Sequence, residues 1–197
     1  MTERYTERYV VGVDTGHAGT LQAADRLLRG LAVELGLGDG VLGCTHLVRD
    51  GRRPHTALSF AVTSERAARS AWQRLAEREF GAALGADRHG PAELAAGAAQ
   101  AAAEHTARTG GRAVLYGGVE ALTGTVTVAR LLADSAVDRI AVLGAPGSPE
   151  PELRLVTRDH VRPEWRDGQL VLAAMPAAGG TLVPFEVPDP TPCCADH

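Results

Sequence analysis

An acidic residue and a glycine-containing loop follow the first apolar run of the chain. The sequence YVVGVDTGHAGTLQAAD occupies residues 9–25, with Asp14 at the end of the apolar run and Thr20 at the start of a helical pattern. Open α/β sheets bind ligands at strand ends of this kind. Backbone amides in such a loop and the dipole of the following helix favour an anion, and a carboxylate beside it can hold Mg²⁺. The loop consists of Thr15, Gly16, His17, Ala18 and Gly19.

Two interpretations of this loop stay open. In the first, the loop binds a phosphate, Asp14 holds the metal ion and Thr20 lies at the phosphate. In the second, Thr20 caps the N-terminus of the helix and the glycines only permit the turn. One glycine-rich turn does not decide between them.

A second glycine turn, LYGGVEALTGT, occupies residues 115–125. Glu120 follows the pair Gly117 and Gly118, so it is a candidate metal ligand or general base. The alternative is an acidic residue in the first turn of a helix, where the dipole favours it.

Further candidate residues flank a polar turn and end the chain. Arg49, Arg52 and Arg53 form a basic cluster that contacts either phosphate or solvent. His46 and His55 flank the turn RDGRRPH and could approach each other across a hairpin, but a two-histidine metal site lacks a third ligand at diagnostic spacing. The closing CCADH offers Cys193, Cys194 and His197 as soft or borderline ligands, and adjacent cysteines alone do not complete a tetrahedral zinc site.

Composition excludes several classes of protein. The net charge of −4 argues against a general nucleic-acid binder. All 20 basic residues are arginine, so neither a Walker phosphate loop nor a pyridoxal-phosphate enzyme is available to this chain. The sequence contains no run of eighteen apolar residues, so a membrane span is not expected. The start MTERYTERY is charged and does not resemble a signal peptide. We therefore expect a cytoplasmic protein with reduced cysteines.

Apolar periodicity predicts alternating strands and helices in the first part of the chain. Strands are expected at residues 9–14, 41–48, 57–63 and 112–116, with the second and third forming a hairpin and the first central in its sheet. Helices are expected at residues 21–35, from Ser64 onward and at residues 91–108. Asp25 falls on the polar side of the first helix, and residues 81–90 are predicted to be a loop.

Later residues predict a strand-rich segment. Strands are expected at residues 140–143, 153–156, 169–174 and 181–187, and helices at residues 125–133 and near 160–165. The fold class is mixed α/β, a mixed sheet with flanking helices. Residues 1–148 are predicted to be a nucleotide-binding-like domain and residues 149–197 a strand-rich C-terminal segment with a proline-rich tail.

Several of these stretches, in the same order, resemble the catalytic N-terminal part of archaeal tRNA-isoleucine 2-agmatinylcytidine synthetase. The stretch GVDTGHAGTL resembles that family's GIDDTDS-type acidic loop and the helix start after it. The stretches RRPHTALSFAV and YGGVEALTGTVTVARL resemble its proline-threonine turn and its glycine-rich helix entrance. The stretches LRLVTRDHVRPEW and VPDPTPCCADH resemble a late strand-rich segment and the turn that binds agmatine.

The resemblance implies ATP and Mg²⁺ as cofactors and an amine or guanidino substrate. It implies that Asp14 is a metal ligand and that Thr20 lies at the phosphate. A second phosphate-facing turn would contain Gly117, Gly118 and Glu120, and the amine pocket would contain Thr191, Pro192 and Cys193. Here the family's acidic cluster is reduced to Asp14, and its arginine-glycine-asparagine motif is missing.

Two functions follow as expectations. The first is an ATP- and Mg²⁺-dependent, kinase- or synthetase-like enzyme acting on a small molecule, with Arg49 at the nucleotide and His55 at the substrate. The second is a relative that binds a nucleotide, metabolite or protein partner without turnover. Because no oligonucleotide-binding fold or zinc ribbon follows and the charge is negative, tRNA is not the expected substrate. A homo-oligomer would pack the alanine-rich helix of residues 91–108 against a copy of itself.

Overall fold

A computed structural model describes residues 9–16, 19–49 and 54–188 of the chain. The strands are β1 Tyr9–Asp14, β2 Leu42–Val48, β3 His55–Val62, β4 Gly81–Leu84, β5 Asp87–His89, β6 Arg112–Leu115, β7 Thr125–Thr127, β8 Arg139–Val142, β9 Arg154–Val156, β10 Glu164–Arg166, β11 Gln169–Ala177 and β12 Thr181–Pro184. The helices are α1 Leu21–Leu35, α2 Glu65–Ala76, α3 Ala92–Ala107 and α4 Val128–Asp134. The predicted mixed α/β class with flanking helices is confirmed.

The chain forms two compact units. The first contains residues up to Gly117 and the segment Pro163–Leu170, and the second contains Gly118–Arg162 and the residues from Val171 onward. These bounds differ from the domains predicted at residue 149. The backbone N–H groups of Val128 and Ala129 in α4 donate to the carbonyls of Leu153 and Pro151, so the proline-rich linker belongs to the same unit as the helix before it.

The sheet of the first unit has the strand order β5-β4-β1-β3-β2-β6-β10. Its neighbouring strands pair antiparallel. The first predicted strand is confirmed in its bounds and lies between two others, and the predicted hairpin is the β2–β3 pair, with Val48 opposite His55.

Helix α1 has the predicted bounds, and its caps explain them. The Thr20 hydroxyl accepts a hydrogen bond from the Ala23 N–H at 3.2 Å, and Gly36 ends the helix in the left-handed region with φ 67°. Helix α2 likewise begins after Ser64, whose hydroxyl accepts from the Ala67 N–H.

The two faces of this sheet carry different residues because side chains alternate along each strand. One face packs large apolar side chains of the strands, among them Val11, Val13, Leu58 and Phe60, against Leu28 of α1 and Leu75 of α2. The other face carries small and polar residues and is covered by α3. A Cβ atom at Gly12 would lie 1.9 Å from the Ala98 carbonyl oxygen, so glycine lets the alanine-rich helix approach the strand backbone.

Three predicted elements are wrong. Residues 81–90, expected as a loop, form the β4–β5 hairpin, because Ala82 and Ala83 are buried in the sheet. Residues 125–133 begin as strand β7 and become helical only after Thr127, whose hydroxyl caps α4. The helix expected near residues 160–165 is absent: Glu164 pairs with Arg112, and the Pro163 carbonyl accepts from the Ala113 N–H.

The second unit contains the sheet segment β8-β11-β12-β9-β7. In it β11 pairs parallel with β8 and antiparallel with β12, and β9 pairs parallel with β12. Its buried side chains include Ile140, Leu155 and Leu172. Of the described α-helices, α4 belongs to this unit.

Candidate functional site

The carboxylate of Asp14 lies at the C-terminal end of β1 and is fully buried. Its Oδ2 atom is 2.8 Å from Nε2 of His55, the first residue of β3. Its Oδ1 atom accepts a hydrogen bond from the Gly16 N–H at 2.8 Å. The antiparallel β1–β3 pair explains why the end of one strand meets the start of the other. The imidazole is thereby oriented by a carboxylate.

Helix α3 closes over this pair at Gly97. A Cβ atom at position 97 would lie 1.9 Å from Asp14 Oδ2 and 3.5 Å from a methyl group of Val48. The absence of a side chain at this one turn of the helix therefore makes the space for the carboxylate.

Other predicted residues of the first loop follow Asp14 at the same sheet edge, which here means the side of the sheet where β1 and β2 end and β3 begins. Gly16 has φ 68° and is exposed, as are Gly19 and Thr20. The Thr15 hydroxyl oxygen is buried, and no residue of the described chain forms a hydrogen bond with it. The structure thus contains the cap proposed for Thr20, and it uses the Gly16 amide to bind Asp14. His17 lies outside the described residues.

Arg49 is a basic residue at this sheet edge. It directly follows β2, whose last residue Val48 pairs with His55, and its side chain is exposed. Arg49 and His55 therefore lie at the same edge of the first unit's sheet. Arg52 and Arg53 lie outside the described residues.

Asp14 does not fit the role of a Mg²⁺ ligand in this arrangement. A hard cation needs accessible oxygen atoms, usually several, and it retains water. Both oxygen atoms of Asp14 already accept or share hydrogen bonds, and the carboxylate has no exposed surface. The geometry assigns Asp14 the role of holding His55 and the loop in place.

The second glycine turn lies elsewhere. Glu120 is exposed in a short 3-10 helix, Val119–Ala121, and belongs to the second unit, whereas Asp14 belongs to the first. Gly118 has φ 80°, and a Cβ there would lie 1.9 Å from the Asp134 carbonyl oxygen. Close backbone packing therefore explains that glycine, while a Cβ at Gly117 would meet no atom within 4 Å. The candidate residues of the C-terminal tail lie outside the described residues, namely Thr191, Pro192, Cys193, Cys194 and His197.

A buried polar cluster that the sequence analysis missed lies under α3. The Ser59 hydroxyl in β3 is 2.8 Å from Nε2 of His46 and 2.7 Å from Nδ1 of His105. Nδ1 of His46 is 2.8 Å from Oε2 of Glu104, so this imidazole donates to the carboxylate. His46 and His55 both belong to the β2–β3 hairpin but have different hydrogen-bond partners.

Helix α3 organises one side of this cluster. Gln100 donates to the other oxygen of Glu104 at 2.8 Å, one helical turn away. The hydrogen bond from His46 holds the pKa of Glu104 below its usual range, an effect larger than the opposing desolvation by burial. The signal in the sequence was the rare polar residues of an alanine-rich helix at i, i+4 and i+5, namely Gln100, Glu104 and His105.

The Glu104–His46–Ser59 connectivity is that of a serine-hydrolase triad, in which a carboxylate orients the imidazole that accepts the serine proton. Ser59, however, lies inside a central strand and has no exposed surface. A substrate carbonyl has no approach to such a hydroxyl, so this geometry does not support acyl transfer.

Cys44 lies beside the same histidines. Burial raises the pKa of its thiol far above the usual range, an effect only partly opposed by the nearby Trp165 indole and the charge of Arg112. One ligand atom each from Cys44, His46 and His105 lies within 4.8 Å of the other two. A cavity of about 160 Å³ adjoins the cluster and is lined by Val10, Leu42, Ala61, His105, Thr106, Arg108 and Trp165.

A second missed residue is Asp25, expected on the polar side of α1. It is buried, and its carboxylate forms a bidentate ion pair with Arg112 of β6, at 2.6 Å from Nη1 and 3.4 Å from Nη2. Its partner is 87 residues away in the chain, so helical periodicity gave no sign of it.

The second unit has polar and apolar features of its own. His160 lies 2.8 Å from the carboxylate of Glu186. A cavity of about 290 Å³ is lined mainly by apolar residues, among them Val142, Pro146, Leu153, Pro176 and Leu182. Among the described residues that line this cavity, there is no polar cluster of the kind found under α3.

Comparison with protein-family models, with curated proteins and with solved structures finds no match to this chain. Among the described residues, no helix combines the length and apolar character needed to cross a membrane.

Proposed function

We propose that this chain binds a phosphate-bearing small molecule at the sheet edge where Asp14, Arg49 and His55 lie. The observation that carries the proposal is the meeting of three chain segments at that edge. The end of β1, the end of β2 and the start of β3 converge there.

The chemistry of this edge suits an anion. Arg49 supplies an exposed guanidinium, which matches the oxygen atoms of a phosphate. His55 supplies an imidazole whose orientation is set by the buried carboxylate of Asp14 at 2.8 Å. A carboxylate ligand for a metal ion is not required in this proposal.

A nucleotide is the ligand class that the resemblance to the agmatinylcytidine synthetase family supports. ATP is then the first ligand to test, and Mg²⁺ would accompany its phosphates rather than bind Asp14. The proposed location of the protein is the cytoplasm, and the proposed second ligand is a small amine or guanidino compound rather than tRNA. Protein partners and self-association belong to the alternative in which turnover is absent.

The second candidate function is ATP-dependent transfer to that small molecule. The Asp14–His55 hydrogen bond favours it, because an imidazole oriented by a carboxylate is a common general base. In that reaction His55 would accept a proton from the amine, and Asp14 would hold the imidazole. Binding without turnover needs only the positive groups of the edge.

Thermal-shift measurements with ATP, ADP, AMP and pyrophosphate, with and without Mg²⁺, test the binding proposal. A ligand at one hundred times its dissociation constant stabilises the folded state by about 2.7 kcal/mol, which gives a clear rise in Tm. We expect Arg49→Ala to lose most of this rise. Arg66→Ala is the matched control, because it removes the same charge from an exposed position of α2, which follows the opposite end of β3.

Two results would contradict the binding proposal. One is the absence of any shift with phosphate-bearing ligands, and the other is an equal loss of the shift in both arginine variants. Consumption of ATP in the presence of candidate amines then separates the two functions. An enzyme loses turnover in His55→Gln while it still binds ATP, whereas the wild type of a pure binding protein consumes none.

A further inference from the structure

Cys44, His46 and His105 bring one thiol and two imidazoles together in the interior of the first compact unit. All three side chains are buried, and a ligand atom from each lies within 4.8 Å of those of the other two. We propose that these residues bind one Zn²⁺ ion between β2 and α3. Cysteine sulfur and histidine nitrogen are the ligands that zinc most often has in proteins.

The spacing of the donor atoms suits a single ion. Zinc lies about 2.3 Å from sulfur and about 2.0–2.1 Å from nitrogen, so donors in a tetrahedral site are roughly 3.3–3.8 Å apart. The donor atoms here lie within 4.8 Å of one another, so they need to approach each other by roughly 1.5 Å at most, which side-chain rotations supply. Cys44 and His46 are two residues apart in β2, so their side chains lie on the same face of the strand. His105 of α3 lies close to both.

The two imidazoles already point their nitrogen atoms at one position. Nε2 of His46 and Nδ1 of His105 lie 2.8 Å and 2.7 Å from the same Ser59 oxygen. An ion beside this oxygen would be reached by both nitrogen atoms. The Ser59 hydroxyl, or a water molecule from the adjoining cavity lined by His105, then completes the coordination.

Residues around the cluster match the surroundings of a zinc site. Metal-binding histidines usually donate their other N–H to a carboxylate, which fixes the ring and the tautomer. Glu104 accepts this hydrogen bond from Nδ1 of His46, and Gln100 holds the other carboxylate oxygen. Glycine at position 111 provides the space for these side chains, because a Cβ there would lie 2.6 Å from Cε1 of His46 and 3.2 Å from Cβ of Cys44.

Zinc also gives the buried thiol a chemical role. Cysteine binds zinc as the thiolate, so the Cys44 thiol must give up its proton to become a ligand. Binding of the ion releases that proton and replaces it with a metal–sulfur bond. The thiolate and the Glu104 carboxylate together balance the charge of a divalent ion.

The test uses the full chain with the two tail cysteines replaced, Cys193→Ser and Cys194→Ser. Cys44 is then the only thiol, since the chain has three cysteines. The protein is freed of metal with a chelator and titrated with Co²⁺ as a spectroscopic substitute for Zn²⁺. We expect one ion per chain and a thiolate-to-cobalt absorption band in the near ultraviolet, both lost when Zn²⁺ is added in excess.

The absence of this band in the double variant overturns the proposal, and this result needs no substitution in the core.

In the same background, Cys44→Ala is expected to abolish the band. Glu104→Gln is expected to weaken Zn²⁺ binding by about 10–100-fold through the lost partner of His46. Glu93→Gln, an exposed change of the same type in the same helix, is the control and should leave the affinity unchanged. Equal affinities of the two glutamine variants would also count against the site.

Discussion

Gly97 of α3 lies directly against the carboxylate of Asp14 at the end of β1: a Cβ at position 97 would be 1.9 Å from Asp14 Oδ2. The helix can approach the end of the strand this closely because position 97 has no side chain. The contact joins the middle of α3 to the residue that orients His55. Fold stability and the proposed binding edge thus depend on the same close approach.

Gly97→Ala is expected to destabilise the protein by about 1–3 kcal/mol, because the methyl group must displace the carboxylate or the helix. Gly30→Ala is the matched control within α1, where a Cβ would meet no atom within 4 Å. That change is expected to stabilise by up to about 1 kcal/mol, since alanine is the better helix former. Urea unfolding of both variants measures the free energies, and equal signs for the two changes would contradict the packing.

Replacement of one partner of the buried Asp25–Arg112 pair is expected to be costly. Asp25→Ala leaves the guanidinium without its carboxylate in the interior, and we expect a loss of about 3–5 kcal/mol. The double variant Asp25→Leu with Arg112→Leu should recover much of this loss, because no unpaired charge remains. Arg26→Ala, at an exposed neighbouring position, serves as control with a change within about 0.5 kcal/mol. A double variant no more stable than Asp25→Ala would contradict this coupling of the pair.

The pH dependence of stability should report the Glu104–His46 hydrogen bond. The pKa of Glu104 is lower in the folded protein than its ordinary value of 4.5, mainly because His46 donates to it. Its contribution is therefore present above pH 4.5 and is lost as the pH falls through the lower, folded pKa.

We expect the free energy of unfolding to fall less steeply below pH 4.5 in Glu104→Gln than in the wild type. Urea unfolding at a series of pH values measures this slope, with Glu93→Gln as the exposed control. Parallel profiles for the wild type and Glu104→Gln would mean that the hydrogen bond is not maintained in solution.

Asp14→Asn separates the two roles of Asp14. The amide keeps the shape of the side chain and an oxygen that accepts from the Gly16 N–H. If Mg²⁺ reaches the site on the nucleotide, the Mg²⁺-dependent part of the ATP-induced rise in Tm persists in this variant. Loss of that part alone, with Mg²⁺-free binding retained, would show instead that Asp14 is a metal ligand.

Local patterns in the sequence determined the elements whose signals are contained within a few residues. The bounds of β1 and α1, the β2–β3 hairpin and the cap at Ser64 follow from alternation, helical period and capping residues, and all were predictable. The predictions failed where a short segment depends on distant partners. The β4–β5 hairpin is an example, because Val11 and Asp14 of β1 pair with β4 and hold it in the sheet.

The candidate sites depended on the tertiary structure to a greater degree. The sequence placed Asp14 and His55 at the ends of strands, but only the β1–β3 pairing set them 2.8 Å apart. Cys44, Ser59 and His105 come from three different elements, and nothing in their spacing along the chain brings them together. They meet because small residues on one sheet face let α3 approach closely, and the hydrogen-bonding groups enclosed there must find partners in the absence of water.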